Sequence, residues 1–334
     1  MKKKVFLPIL LMLAVLMISA CGNNAASSNK ETAAPDSSPA ASTSPAASEP
    51  AASEPAADGA QNTADSRTIT YESELGPVEV PANPQRIVAL TNAPNVLSLN
   101  GTLVGVDEWT NKNPLFTDKL SGVEVVSEDN LEKIIEVEPD LIIADASSKN
   151  LDKLKEIAPT VAYTWGKNDY LTQQIEIGKL LNKEQEATAW VDDFKKRAEE
   201  AGKEIKAKIG ENATVSVIET DSKNFYVFGD AWARGTEILY QGMGLNMPEK
   251  VKADALGPGY YTLSPEVLND YAGDYIVLSR SASGDNSFMQ TDTWKKIPAV
   301  KNGHVIEIDT EASSYSDPTT LEYLLKIFKE QLLK

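Results

Sequence analysis

The chain has 334 residues, 42% of them hydrophobic, with a formal net charge of −17, one cysteine and one histidine. A chain this acidic is ill suited to nucleic acid or an anionic lipid surface. One cysteine rules out an internal disulfide, and a thiolate metal cluster or a histidine-rich zinc or manganese site cannot be built.

Residues 1–20 read as a targeting leader. Lys2, Lys3 and Lys4 precede an apolar run from Val5 to Ile18 that is too short to span a bilayer comfortably. The ending Ile18-Ser19-Ala20-Cys21 resembles the bacterial lipobox, in which the signal is cut before a cysteine that is then acylated. The resemblance implies a lipid anchor on Cys21; an ordinary secretory cleavage would leave Cys21 a stray thiol. Loss of the leader's lysines makes the mature chain more acidic still. Residues 21–66 are almost all Ala, Ser, Pro, Thr, Glu, Asp and Asn, which suits a disordered tether better than a core.

Residues 67–182 alternate strand and helix signals. Thr68–Tyr71 and Val78–Val80 suggest a hairpin closed near Gly76-Pro77. Arg86–Leu90, Leu103–Val106, Val123–Val126, Pro139–Ala144 and Thr160–Tyr163 read as strands, with helices through Leu97, over Asn130–Val137 and over Leu151–Ile157. Such alternation predicts a mostly parallel sheet covered on both faces. Residues 183–209 differ. Trp190, Phe194, Ala198, Ala201 and Ile205 recur every three or four positions, which predicts one amphipathic helix about 40 Å long, more than one lobe needs.

Alternation restarts in residues 210–334, with strands at Val215–Ile218, Phe225–Phe228, Asp274–Leu278 and Val305–Ile308 and a terminal helix over Leu321–Leu333. The halves carry matching parts. Leu131 to Ile143 and Ser264 to Leu278 each give a helix with an early Glu, a turn, an Asp and a buried strand. The central stretch is Phe225 to Leu245, FYVFGDAWARGTEILYQGMGL. Its Ala231–Gly235 segment is expected at a strand's carboxyl end, where α/β sheets place ligands. Trp232 offers a flat apolar face there, and Arg234 a fixed fork of donors. Alternatively, Trp232 is half in the core and Arg234 pairs with Asp230 or Glu237.

Leader, tether, two lobes and one connecting helix together resemble the bacterial iron–siderophore and vitamin B12 family of ABC-importer substrate-binding lipoproteins. FYVFGDAWARGTEILY and GYYTLSPEVLNDYAGDYIVL are similar to the hydroxamate-siderophore receptors of Gram-positive bacteria. The resemblance implies an α/β fold with two Rossmann-like lobes joined by a single long helix and a ligand cleft between them. It implies a monomer that captures a ferric hydroxamate siderophore and delivers it to a permease, without catalysis and without a protein ligand to the metal. Trp232 and Arg234 match the positions that stack on the ligand and donate to its hydroxamate oxygens, with Tyr226 and Tyr315 on the same lobe and Trp165 on the facing one. Asn92 and Trp109 are added by topology, and so is Arg280, which could equally pair with Asp285. The sequence leaves open whether Tyr260, Tyr261 and Trp294 reach the cleft or pack.

Glu132 and Glu266 match the family's lobe-top glutamates that dock onto permease arginines, although each also simply suits the first turn of a helix. A near-neutral ferric tris-hydroxamate fits one certain arginine better than an anionic tris-catecholate does. Catecholate, vitamin B12 or haem on the same scaffold is the alternative. The P-loop, GxSxG and HExxH signatures are missing, so an enzyme reading would rest on the 49 Asp and Glu residues alone, in the manner of a glycosidase.

Overall fold

The computed structural model describes residues 67–221 and 224–334. The expected leader, the lipidation site Cys21 and the tether lie outside them. The fold opens with an antiparallel hairpin of β1 (Thr68–Ser73) and β2 (Gly76–Pro81). Its turn falls at Glu74-Leu75, because Gly76 and Pro77 are already paired with Ser73 and Glu72.

The first lobe holds β3 (Ile87–Ala89), β4 (Leu103–Val106), β5 (Glu124–Val125), β6 (Leu141–Asp145) and β7 (Thr160–Tyr163). They form an all-parallel sheet in the order β5-β4-β3-β6-β7. Residues such as Val88, Ile142, Ile143 and Val161 are fully buried, as expected of strands covered on both faces.

The second lobe holds β8 (Val215–Thr220), β9 (Phe225–Phe228), β10 (Tyr260–Leu263), β11 (Tyr275–Arg280) and β12 (Val305–Asp309), in the order β10-β9-β8-β11-β12. This sheet is mixed. β8, β11 and β12 are parallel, whereas β9 runs antiparallel to both β8 and β10. β10 is an element not expected from the sequence, and the antiparallel β9 corrects the expectation that Ala231–Gly235 leaves at the sheet's carboxyl edge. The segment must instead double back along the sheet to bring Arg234 to Glu219, near the carboxyl end of β8. The helix expected from Thr236 is a π-turn over Glu237–Gly242, with Met243 N–H bonded five residues back to Ile238 O at 2.7 Å.

The matching halves show a shared anchor. Asp140, just before β6, accepts from the backbone N–H of Gln85 and Arg86 ahead of β3, at 2.7 and 3.0 Å. Asp274, just before β11, accepts from the N–H and hydroxyl of Thr214 ahead of β8, both at 2.8 Å. The backbone bond of Thr214 holds the Asp274 carboxyl below the usual aspartate range.

The long helix spans Glu184–Ile209, 26 residues. Its Ala187 enters the first lobe's core, whereas Val191, Phe194, Ala198 and Ile205 pack in the second lobe's core with Leu321, Leu324 and Phe328 of the terminal helix Pro318–Leu332. Glu322 of that helix is gripped by Arg197 and by Trp190 Nε1. The lobes also touch beside the helix: Tyr315 and Thr110 share a 3.0 Å hydroxyl bond, and Asn113 donates to Glu311 O at 2.7 Å. The lobes are therefore joined by direct hydrogen bonds as well as by the helix.

Candidate functional site

A cleft of about 640 Å³ lies between the lobes. The first lobe contributes Thr91 and Asn92 after β3, Asp145 at the end of β6, Trp165 after β7, and the start of the helix Tyr170–Leu180. These are the carboxyl ends of adjacent parallel strands on either side of the β3/β6 switch point, where the chain order reverses. The second lobe contributes residues 231–234, Glu237, and residues 314–317 just ahead of the terminal helix.

Five of the residues expected from the sequence meet here: Asn92, Trp165, Trp232, Arg234 and Tyr315. Trp165 is 69% exposed. Its ring meets that of Trp232 edge to face at 4.9 Å, so the two lobes present one aromatic lip. Trp232 is held from behind. Tyr260 lies 5.2 Å away, and Gly259, at φ 90, leaves room that a Cβ would take, 2.4 Å from the indole. Asn92 has φ 56, a left-handed conformation that Asn tolerates better than most residues.

The turn carrying Arg234 is left-handed at three successive residues, Ala233 at φ 56, Arg234 at φ 54 and Gly235 at φ 79. It is locked from several sides. Arg234 N–H donates to Ser313 O at 2.8 Å, Ala233 N–H to Glu237 Oε1 at 3.0 Å and Trp232 N–H to Thr236 Oγ1 at 3.0 Å. Gly235 sits against Phe328, which a Cβ would approach to 2.5 Å. Two left-handed non-glycine residues in a row are strained and persist only where surroundings fix them. Here they aim the guanidinium over the Phe228 ring, 5.3 Å from its centroid. Arg234 pairs with neither Asp230 nor Glu237; its partner is Glu219, at 2.9 and 3.1 Å.

Two buried acids underlie the cleft. Burial pushes the carboxyls of Glu237 and Asp317 above the usual range. Asp317 caps the terminal helix through Thr319 N–H at 2.9 Å. Burial also raises the Tyr315 phenol, whose hydroxyl stays bonded to Thr110.

The other expected residues lie elsewhere. Tyr226 stands one ring back, packed on Tyr260 at 6.1 Å, with its hydroxyl donating to Asp221 at 2.6 Å. Trp109 follows β4, which lies beyond β3 in the sheet, so it reaches a neighbouring depression and not the cleft. Arg280 is held by Glu307 on the adjacent β12, at 2.7 Å from Nε, and not by Asp285. Tyr261 stacks on Tyr271, and Trp294 is buried against Phe288. Glu132 and Glu266 are both exposed near the starts of short helices, and the Ser264 hydroxyl holds Glu266 below the usual range. Asp145, Glu219 and Asp317 were not expected from the sequence, and Glu237 only as a partner for Arg234. The ends of β6 and β8 could have pointed to the first two. Among the described residues no group of three or more His, Cys, Asp or Glu side chains is placed to hold a metal ion.

Residues 89–312 match the profile of a family described as periplasmic binding protein. The chain is 36% identical over 285 residues to the iron(3+)-hydroxamate-binding protein FhuD of Bacillus subtilis, covering 82% of this chain and 90% of that one. Among solved structures, the FhuD protein from S. pseudintermedius superposes with a TM-score of 0.72 at 33% identity, over 80% of this chain and 98% of that one. FhuD2 from Staphylococcus aureus with bound ferrioxamine B superposes at 0.71 and 34% identity, over 75% and 98%.

Proposed function

The chain belongs to the periplasmic binding protein family, and from that premise we propose that it is the extracytoplasmic receptor of an ABC importer, capturing ferric hydroxamate siderophores and passing them to a permease. The observation that carries this reading is the cleft itself, where an aromatic lip from both lobes stands beside a single arginine already paired with a carboxylate. Such a lining suits a bulky, near-neutral complex with apolar flanks and a polarised oxygen shell. Trp165 and Trp232 supply the stacking faces. Arg234 donates to hydroxamate oxygens, with Tyr315 and Asn92 as further polar contacts and Tyr226 as support.

The iron arrives wrapped in its chelator, as cargo, and the protein supplies no metal ligand and performs no catalysis. Capture is followed by docking. Glu132 and Glu266, exposed on helices that stand at equivalent places in the two lobes, meet basic groups of the permease. The monomer is held at the outer face of the membrane through lipidated Cys21, as in a Gram-positive cell, with residues 21–66 as tether, residues 67–182 and 210–334 as lobes and residues 183–209 as connector. Purification of the protein from iron-limited cells fed a ferric hydroxamate tests the reading. Co-elution of the coloured complex supports it; a protein that instead carries haem or cobalamin contradicts it.

A further inference from the structure

Among the described residues that line the cleft, Arg234 is the one Lys or Arg. Glu219 engages its Nε and Nη2 in a two-point pair at 2.9 and 3.1 Å. Glu219 is itself fixed from behind: the fully buried Ser279 donates to its Oε2 at 2.7 Å and shares a 2.9 Å hydroxyl bond with Thr310. The pair is largely enclosed, the side chains keeping 20% and 15% of their surface. Parting it would strand a shielded carboxylate, a heavy penalty compared with an exposed ion pair. A guanidinium carries five N–H donors in one plane, so a ligand can still use those that Glu219 does not.

Resting on the proposed function, we infer that Glu219 is the residue that sets the charge selectivity of the cleft. It turns Arg234 into a hydrogen-bond donor without net charge, so the cleft takes ferric complexes that are neutral or cationic and disfavours anionic ones. Asp145 and Asp169, further acids in the described lining, act in the same direction. Arg280, near the same end of the sheet, is compensated by Glu307 in the same manner. Among the described residues of the lining, an anionic complex therefore meets no uncompensated positive charge.

The test is a tryptophan-fluorescence titration of wild type, Glu219→Gln and Ser279→Ala. Three probes are used: a neutral ferric tris-hydroxamate, a ferric tris-hydroxamate with an ammonium tail, and a ferric tris-catecholate. The readout is the ratio of catecholate to hydroxamate Kd, which a purely structural loss would not move. Glu219→Gln is expected to shift that ratio toward the catecholate by about tenfold or more, whereas Ser279→Ala, which keeps the charge, holds it within about twofold. An unmoved ratio in Glu219→Gln overturns the inference, and so does an equal shift in Ser279→Ala. Should Glu219→Gln fail to fold, a salt series on wild type decides. Added salt strengthens catecholate binding if the cleft repels it, and weakening with salt overturns the inference. Wild type that binds no tris-hydroxamate removes the functional reading itself, a separable failure.

Discussion

Trp165 and Trp232 meet edge to face across the cleft, with ring centroids 4.9 Å apart and planes at 80°. One ring comes from each lobe, so the pair bridges the site. A double-mutant cycle between Trp165→Ala and Trp232→Ala is expected to show a coupling of about 0.5 kcal/mol in unfolding free energy, the low end for an aromatic pair. Because Trp165 is so exposed, its single replacement changes stability by less than about 1 kcal/mol. Either replacement weakens ferric hydroxamate binding by about tenfold or more, near 1.4 kcal/mol. Urea unfolding and ligand titration of the same proteins read both effects.

Gly259 controls where the Trp232 ring lies. Its φ of 90 disfavours any side chain, and a Cβ there would stand 2.4 Å from the indole. Gly259→Ala is expected to destabilise the fold by about 1–3 kcal/mol and to weaken the ligand about as much as loss of Trp232 does. A stable Gly259→Ala protein with unchanged affinity would show that the ring's position is immaterial.

Asp317 predicts a pH signature. Burial raises its carboxyl pKa in the folded protein above the value it has when unfolded. Its contribution to stability is therefore fully present below the ordinary aspartate pKa and is lost as pH rises toward the folded pKa. Asp317→Asn keeps an oxygen for the N-cap but cannot ionise. The two proteins are expected to be similar near about pH 4 and to diverge toward about pH 7 in favour of the variant, by about 1.4 kcal/mol per unit of pKa difference. Thermal unfolding across that range checks the sign. A variant that loses ground as pH rises would refute the assignment.

Glu132→Ala and Glu266→Ala separate capture from delivery. Both carboxylates are exposed and stand apart from the cleft lining. Kd for the ferric complex is expected to stay within about twofold, while ferric hydroxamate uptake in cells falls in each variant and further in the double variant. Normal uptake in the double variant would leave these glutamates as simple helix-start residues.

Much of this arrangement was legible in the chain because the signals were long or repeated. The 26-residue helix announces itself through Trp190, Phe194, Ala198, Ala201 and Ile205, and the internal repeat through the Asp140 and Asp274 anchors. Trp232 and Arg234 stood out as an unusual pair after a buried strand. What stayed hidden depended on pairing distant in sequence. The four-residue β10 follows Gly257-Pro258-Gly259 with no apolar alternation, so neither it nor the antiparallel β9 could be foreseen. Without that reversal Glu219 is not seen as the partner of Arg234, and local Asp230 and Glu237 look equally apt. Trp109 and Arg280 were placed by the rule that ligands gather at strand ends. The cleft faces only the ends nearest the other lobe.

Binding of ferric hydroxamates in the inter-lobe cleft is the property on which the proposed function stands. Its most direct test is quenching of intrinsic tryptophan fluorescence by ferrioxamine-type and ferrichrome-type complexes, in wild type and in Arg234→Ala. Saturable quenching at sub-micromolar concentration by at least one of them, weakened about tenfold or more in the variant, is the predicted result. Silence toward both complexes, with quenching by a catecholate complex, cobalamin or haem, would contradict it.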